Sequence, residues 1–354
     1  MALVDRCGSL GRRRRHGRGH GRRLHQAGER HPLPGQAPAA RSLRRLTIGS
    51  ALDTEWQSHP DIRRCLELCA FPESGSSVSC AVSGGADSLA LLALARAADL
   101  SVTAIHVDHG LRPGSADEAG RVAAAARDVG ADFRAVSIRV EPGPNLEARA
   151  RELRYGSLPP DVLTGHTADD LAETVVVNLL RGAGLPGLVG VRPTGGPSGR
   201  VRHPLLHLRR SDTESVCRAI GWTPFTDPTN SDTTLLRNRV RHEVIPYLNE
   251  VSGRDLVPIL ARQSALIADD TDLLDSLSEH IDPTDARALA SAPPALARRA
   301  VRRWLTATHP PDAATIERVL AVSRGEAVAC EIPGGHRVSR RNQVLSLTRF
   351  DEHD

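Results

Sequence analysis

From residue 77 to residue 181 the chain alternates short apolar runs with Ala-, Leu- and Arg-rich stretches, and this alternation limits the fold more than any other feature. "SVSCAV" (77–82), "SVTAIHV" (101–107), "DFRAVSIRV" (132–140) and "DVLTG" (161–165) read as strands. Residues 86–98, 115–130, 145–157 and 167–181 read as helices. Short apolar strands separated by helices predict an α/β fold: a Rossmann-like parallel sheet with helices on both faces. Ligands of such sheets bind at the carboxyl ends of strands, near the switch in strand order.

The first strand ends in "SGGADS", residues 83–88. A glycine-rich turn running into a helix start offers free backbone N–H groups and the positive end of the helix dipole. Ser83, Gly84, Gly85, Ala86, Asp87 and Ser88 therefore form a candidate anion cradle. It is not a Walker A loop, because that loop needs a Lys and the chain contains none; all 46 basic residues are Arg. It also lacks the GxGxxG pattern of dinucleotide folds. A carboxylate beside a phosphate weakens bare anion binding but suits a bridging Mg²⁺, so Asp87 is the candidate metal ligand. The bland alternative is an ordinary strand–turn–helix corner capped by an Asp.

Polar clusters recur at the other strand ends. "HVDHGLR" (106–112) supplies Asp108, His109 and Arg112. "TGHTADDLAET" (164–174) supplies His166 and three acids, Asp169, Asp170 and Glu173. Asp170 and Glu173 are three apart and share a helical face. Helix N-terminal charge compensation is the competing explanation for these acids. Further on, "RNRVRH" (237–242) sets Arg237 and Arg241 four apart, with Asn238 between them.

Composition excludes several classes. No run approaches the roughly 18 apolar residues of a membrane span. The six Cys are scattered with no CxxC pair, so neither a zinc knuckle nor a redox dithiol is indicated. Cys80 and Cys217 read as small buried apolar residues. Sparse Cys and no apolar signal peptide suit a cytoplasmic protein. Residues 1 to 46 hold 12 Arg against two acids, while the rest holds 34 Arg against 40 acids. The positive net charge therefore comes from the tail, which composition reads as a disordered extension or a nucleic-acid-binding arm.

The ordered motif set resembles a known family. "SGGADS" is similar to the PP-loop of the ATP pyrophosphatases, which split ATP into AMP and pyrophosphate. "HVDHGLRPGS", "EARARELRYG", "TGHTADDLAET", "LLRGAGLPGLVG", "RHPLL" and "DPTNSDTTLLRNRVRHEVIPYL" follow in that order, and the whole set resembles the tRNA(Ile)-lysidine synthetase family. The resemblance implies a PP-loop ATPase fold, ATP and Mg²⁺ as cofactors, and two substrates: free L-lysine and isoleucine tRNA with a CAU anticodon. It implies that carbon 2 of the wobble cytidine is adenylated and then attacked by lysine. It also implies roles for Asp87 on Mg²⁺, for Asp170 and Glu173 on lysine, and for Arg151 near the reaction centre. Asp108, His109, Arg112, His166, Arg237, Asn238 and Arg241 become candidate nucleotide or tRNA contacts.

The domain reading follows. Residues 1–48 form an Arg-rich extension and 49–76 a helical lead-in. Residues 77–250 form the PP-loop catalytic domain. Residues 251–350 form a mostly helical α+β tRNA-binding domain ending in a small β-hairpin around Pro333-Gly334-Gly335. In that last part, Arg298, Arg299, Arg302, Arg303, Arg337, Arg340 and Arg341 are expected phosphate contacts. Aromatic residues total 3%, so base stacking is expected to be minor. Monomer and homodimer both remain open. A tRNA thiolase, a small-molecule synthetase and a non-enzymatic RNA-binding protein are the rival readings.

Overall fold

Ser77–Ala81 form β1, and the turn after it runs directly into α2 (Ala86–Ala97), which is buried almost all round. The structure is a computed structural model. It describes residues 55–108, 115–139, 146–196, 199–225, 232–306 and 311–349. The Arg-rich extension, His109 and Arg112 lie outside the described residues, as does the Asp-Pro-Thr-Asn stretch at 227–230.

Before β1 comes α1 (Pro60–Glu67). After α2 come β2 (Ser101–Asp108), α3 (Ser115–Asp128), β3 (Asp132–Ser137), α4 (Leu146–Ser157), β4 (Val162–Leu163) and α5 (Ala168–Leu180). Then follow α6 (Leu185–Leu188), β5 (Thr194–Gly195), β6 (Val201–Arg202) and α7 (Arg210–Ile220). The strands order as β3-β2-β1-β4-β6-β5. All pairings are parallel except β5 with β6. The chain therefore leaves β1 toward β2 and β3 on one side, then returns to place β4 on the other. The crevice between the carboxyl ends of β1 and β4 is the topological switch, where such sheets bind ligands.

Both sheet faces are covered, as the alternation predicts. On one side the core joins α2, α3, α1 and α7: Leu91, Leu92, Leu94, Val122, Ile62 and Val216 are each 0% exposed. Burying each Leu contributes about 1.5–3 kcal/mol, and truncating one to Ala costs about 2–5 kcal/mol. On the other side, Tyr155 of α4 and Leu158 just after it pack with Ile105, Val162 and Val201. α2 lacks an amphipathic stripe because sheet and helices enclose it from both sides. Cys80 and Cys217 sit in this core, and burial pushes both thiols up to about 12, so they pack as small apolar side chains.

Two strands are shorter than the sequence pattern suggests. β3 pairs only through Ser137, and β4 only at Val162 and Leu163. β4 stops because the chain turns toward Asp87: Gly165 already lies against the Asp87 backbone.

The remaining chain forms α8 (Leu236–Arg239), a π-helical turn (Val240–Val244), α9 (Ile245–Ser252), α10 (Val257–Glu279), α11 (Ala286–Ser291), α12 (Pro294–Thr306) and α13 (Ala313–Arg324). The helices break after Ser252, with Gly253 closing α9 at φ +65°. α11, α12 and α13 share a separate core with Val338 and Leu345. The expected hairpin is a three-stranded antiparallel sheet: β7 (Ala329–Ile332), β8 (His336–Arg341) and β9 (Val344–Arg349). The third strand arises because Asn342 and Gln343 take φ +51° and +67°, which makes a two-residue turn after the three-residue turn at Pro333-Gly334-Gly335. Among the described residues, no helix is long and apolar enough to cross a membrane.

Candidate active site

The loop after β1 is held by its own side chains. Gly84 has φ +89°, a conformation that favours glycine. The Ser83 backbone N–H donates to Ser88 Oγ at 3.1 Å, and that hydroxyl donates to the Gly85 carbonyl at 2.9 Å. The Ser88 hydroxyl therefore closes the loop rather than pointing freely at a ligand. From outside the loop, the Phe225 N–H donates to the Gly84 carbonyl at 2.9 Å.

Asp87 stands in the first turn of α2. Its Oδ1 accepts a short hydrogen bond from the Thr213 hydroxyl, and its Oδ2 lies 3.6 Å from Arg210 Nε. Burial pushes this carboxyl up to about 6; the Thr213 bond and Arg210 oppose that rise and nearby Asp170 adds to it. The group is thus a carboxylate with too little positive charge around it. A divalent cation would complete that balance, so the donor fits Mg²⁺ shared with phosphate oxygens.

The acidic cluster at the start of α5 divides. Asp169 turns to α7: it accepts two bonds from Arg209, each 3.0 Å, and one from the Arg210 backbone N–H at 2.8 Å. Burial opposes ionisation there, yet the Arg209 and Arg210 bonds hold the carboxyl below its usual range. Asp169 is a tie between α5 and α7. Asp170 caps α5 through Oδ2, which accepts from the Thr167 N–H at 2.9 Å and the Thr167 hydroxyl at 3.1 Å. Its Oδ1 accepts from Arg237 at 2.9 Å. Burial is again outweighed, here by His166 and Arg237, so Asp170 also sits below the usual carboxylate range.

Glu173 is 3% exposed and ringed by arginines. Arg237 Nε donates to Oε2 at 2.9 Å, Arg210 Nη1 to Oε1 at 3.2 Å, and Arg241 Nε lies 3.9 Å away. The spacing of Arg237 and Arg241 does bring both to one carboxylate. They sit on either side of the junction from α8 into the π-helical turn, rather than on one regular helix. His166 shares a hydrogen bond with the Thr164 hydroxyl at 2.9 Å and meets the His203 ring edge-on at 4.7 Å.

These groups line one cavity of about 950 Å³. Ser83, Gly85, Ala86, Asp87, Ser88, Asp108, His166, Asp170, Glu173, Arg237, Asn238 and Arg241 all border it. Its volume lies in the range that encloses small-molecule ligands. Arg151 lies in α4, but its side chain is outside the described residues, as are His109 and Arg112. A smaller hollow of about 380 Å³, bordered by Gly75, Arg96, Asp99 and Asp132, lies at the amino ends of the strands, away from this chemistry.

Sequence reasoning missed Arg210 and Thr213. Their only signal is the paired Arg209-Arg210 after "RHPLLHL", which reads as an ordinary solvated helix start. Most arginines of α12, expected as phosphate contacts, have partners within the chain. Arg298 pairs with Glu317, Arg299 with Asp275, and Arg303 donates to the Ser278 hydroxyl and carbonyl. Arg302 donates to the Pro311 carbonyl and Arg340 to Gln343. These side chains tie the C-terminal elements together. Arg337 and Arg341 are exposed on β8.

A family profile described as a PP-loop domain matches residues 58–248, and one described as a TilS substrate binding domain matches residues 285–345. The tRNA(Ile)-lysidine synthase of Nocardia farcinica is 41% identical over 301 residues, which is 79% of this chain and 94% of that protein. The enzyme of the same name from Mycobacterium tuberculosis H37Rv is 38% identical, covering 77% and 90%. That of Thermobifida fusca is 37% identical, covering 78% and 92%. Among solved structures, the U34-tRNA thiolase NcsA from Methanococcus maripaludis aligns with a TM-score of 0.45 and 16% identity, over 60% of this chain and 79% of that one. With a PP-loop profile over more than half its length and relatives of this identity and coverage, the chain belongs to the tRNA(Ile)-lysidine synthase family.

Proposed function

We propose that the protein joins free L-lysine to carbon 2 of the wobble cytidine of a CAU-anticodon isoleucine tRNA, using ATP. The observation that carries this reading is the meeting of the Asp87 loop with the Asp170/Glu173 pair in one cavity at the β1/β4 crevice. The relatives' shared name supplies the substrate class.

The triphosphate lies against the loop and the amino end of α2, where backbone N–H groups and the helix dipole favour phosphate. Asp87 would hold Mg²⁺ there, which would supply charge neutralisation to the departing pyrophosphate. The cytidine carbon-2 oxygen attacks the α-phosphorus, the bond to the β-phosphate oxygen breaks, and an adenylated base forms. Lysine arrives as an ammonium, since its free pKa is about 10.4. Asp170 and Glu173 attract it, and the ammonium takes over the contacts that Arg237 makes with them in this structure. One of the two carboxylates accepts a proton, the ε-nitrogen attacks carbon 2, and AMP leaves. Asp170, held ionised well into the acid range, suits the binding role. Exposed Arg337 and Arg341 are the tRNA-backbone contacts in this reading. The site of action is the cytoplasm, where tRNA, ATP and free lysine meet.

The test is direct. Incubate the protein with labelled lysine, ATP, Mg²⁺ and CAU-anticodon isoleucine tRNA. Label entering the tRNA, with one AMP released per lysine, is the expected result. Label that stays free while ATP is untouched overturns the reading.

A further inference from the structure

One arginine joins the two halves of the site. Arg210 opens α7, and its side chain is 18% exposed. Each of its three guanidinium nitrogens faces a different carboxylate. Nε lies 3.6 Å from Asp87 Oδ2, Nη2 lies 3.6 Å from Asp170 Oδ1, and Nη1 lies 3.2 Å from Glu173 Oε1. The backbone end is fixed too, because its N–H donates to Asp169 Oδ2. Asp87 comes from the first turn of α2, after β1, whereas Asp170 and Glu173 come from the helix after β4. Arg237 pairs with Asp170 and Glu173, and Arg241 with Glu173. Among the ion pairs of the described residues, those of Arg210 alone include Asp87.

Three carboxylates this close repel one another unless a cation lies between them. A guanidinium can do so in fixed geometry, since its donors form a rigid planar fork. An ammonium also has three donors, but they radiate from one atom on a flexible stem and do not fix three acids in a set planar arrangement.

We propose that Arg210 is a positioning residue that sets where Asp87 lies relative to the Asp170/Glu173 pair, and thereby aligns the adenylation and lysine-transfer halves of the site. This inference rests on the reaction proposed above. Arg210 acts through the carboxylates it orients, not on the substrate.

The experiment uses the full chain with Arg210→Met and Arg210→Lys. It measures adenylated tRNA formed without lysine, then kcat and KM for complete lysidine formation, with thermal melts as a fold control. Arg210→Met lowers kcat about 100-fold, the scale of an ångström-level misplacement, while KM for lysine does not rise, because a competing cation has left the acids. Arg210→Lys recovers about tenfold of that loss by restoring charge without the fork. A kcat for Arg210→Met within about threefold of the parent, a change far smaller than misplacement produces, overturns the proposal. So does a lowered melting temperature in both variants together with raised KM for lysine and for tRNA, which marks a merely structural residue. If Arg210→Met does not fold, Arg210→Lys decides: a folded protein with lowered kcat and unchanged KM supports the proposal, and one with the parent's kcat overturns it. A parent protein that makes no lysidine removes the reaction reading, and this inference with it.

Discussion

Gly165 and Asp87 touch through their backbones: a Cβ on Gly165 would come 2.5 Å from the Asp87 carbonyl oxygen and 2.7 Å from its carbonyl carbon. The segment after β4 and the loop after β1 are thus in direct main-chain contact, and no side chain can be inserted without parting them. That contact seats the acids of α5 beside the Asp87 loop.

Gly165→Ala follows from this geometry. The atoms in the way are backbone, so relief requires the loop or the β4 end to move. A displacement near 1 Å at a reacting centre costs about 100-fold in rate. The expected result is a loss of that order in tRNA adenylation, with far-ultraviolet circular dichroism unchanged. Full activity in the Ala variant would show that the contact is dispensable.

If Asp87 holds Mg²⁺ as proposed, it sets an acid limit on ATP use. Its pKa is raised to about 6, and Mg²⁺ needs the ionised form. Affinity for Mg·ATP therefore falls as pH drops through about 6, by up to tenfold per unit, rather than near 4 as for an ordinary Asp. Titration calorimetry between pH 5 and 8 measures this. Asp87→Asn binds weakly at every pH and flattens the profile. A parent protein whose affinity is constant down to pH 5 counts against the assignment.

Asp170 and its neighbour Asp169 separate by experiment. Asp170→Asn keeps size and most hydrogen bonding but removes the charge that faces Arg237. Adenylated tRNA accumulates, the lysine step stalls, and higher pH partly restores it by deprotonating lysine in solution. Asp169→Asn instead weakens the tie to Arg209 at a cost on the order of 2 kcal/mol, seen as a Tm lower by several degrees with both steps kept in proportion. If Asp170→Asn stops adduct formation, that acid serves ATP or Mg²⁺ instead.

The Arg-rich tail offers a separate measurement. Arg-rich segments bind polyanions without selectivity, so deleting residues 1–46 leaves lysidine formation at moderate salt within about threefold of the full chain. A drop of orders of magnitude makes the tail a tRNA arm.

The alternation of strand and helix was legible because each element announces itself locally. β1 and β2 are short apolar runs, and α2 is an unbroken Ala/Leu stretch. The Asp87 loop was legible for the same reason: glycines between strand and helix carry their own meaning. With the sheet read correctly, the carboxyl-end rule brought Asp87, Asp170 and Glu173 to one side of the fold before any contact was known.

Tertiary packing decided what those residues do to one another. Asp169 and Asp170 are adjacent, alike and both at a helix start, so no local signal separates them. The helix turn sends one toward Arg209 and the other toward Arg237, and only the positions of α7 and α8 give that difference chemical content. Thr213 reaches Asp87 across 126 residues of chain. Arg210 finds three carboxylates from two other elements, yet in the sequence it is one more Arg in a chain where every basic residue is Arg. The arginines of α12 show the converse. Their helical spacing suggested an open phosphate-binding face, but α10 and α13 supply acids and carbonyls that engage most of them. Periodicity reports which residues share a face. What that face meets depends on contacts between segments far apart in the chain, and these form only when the whole chain packs.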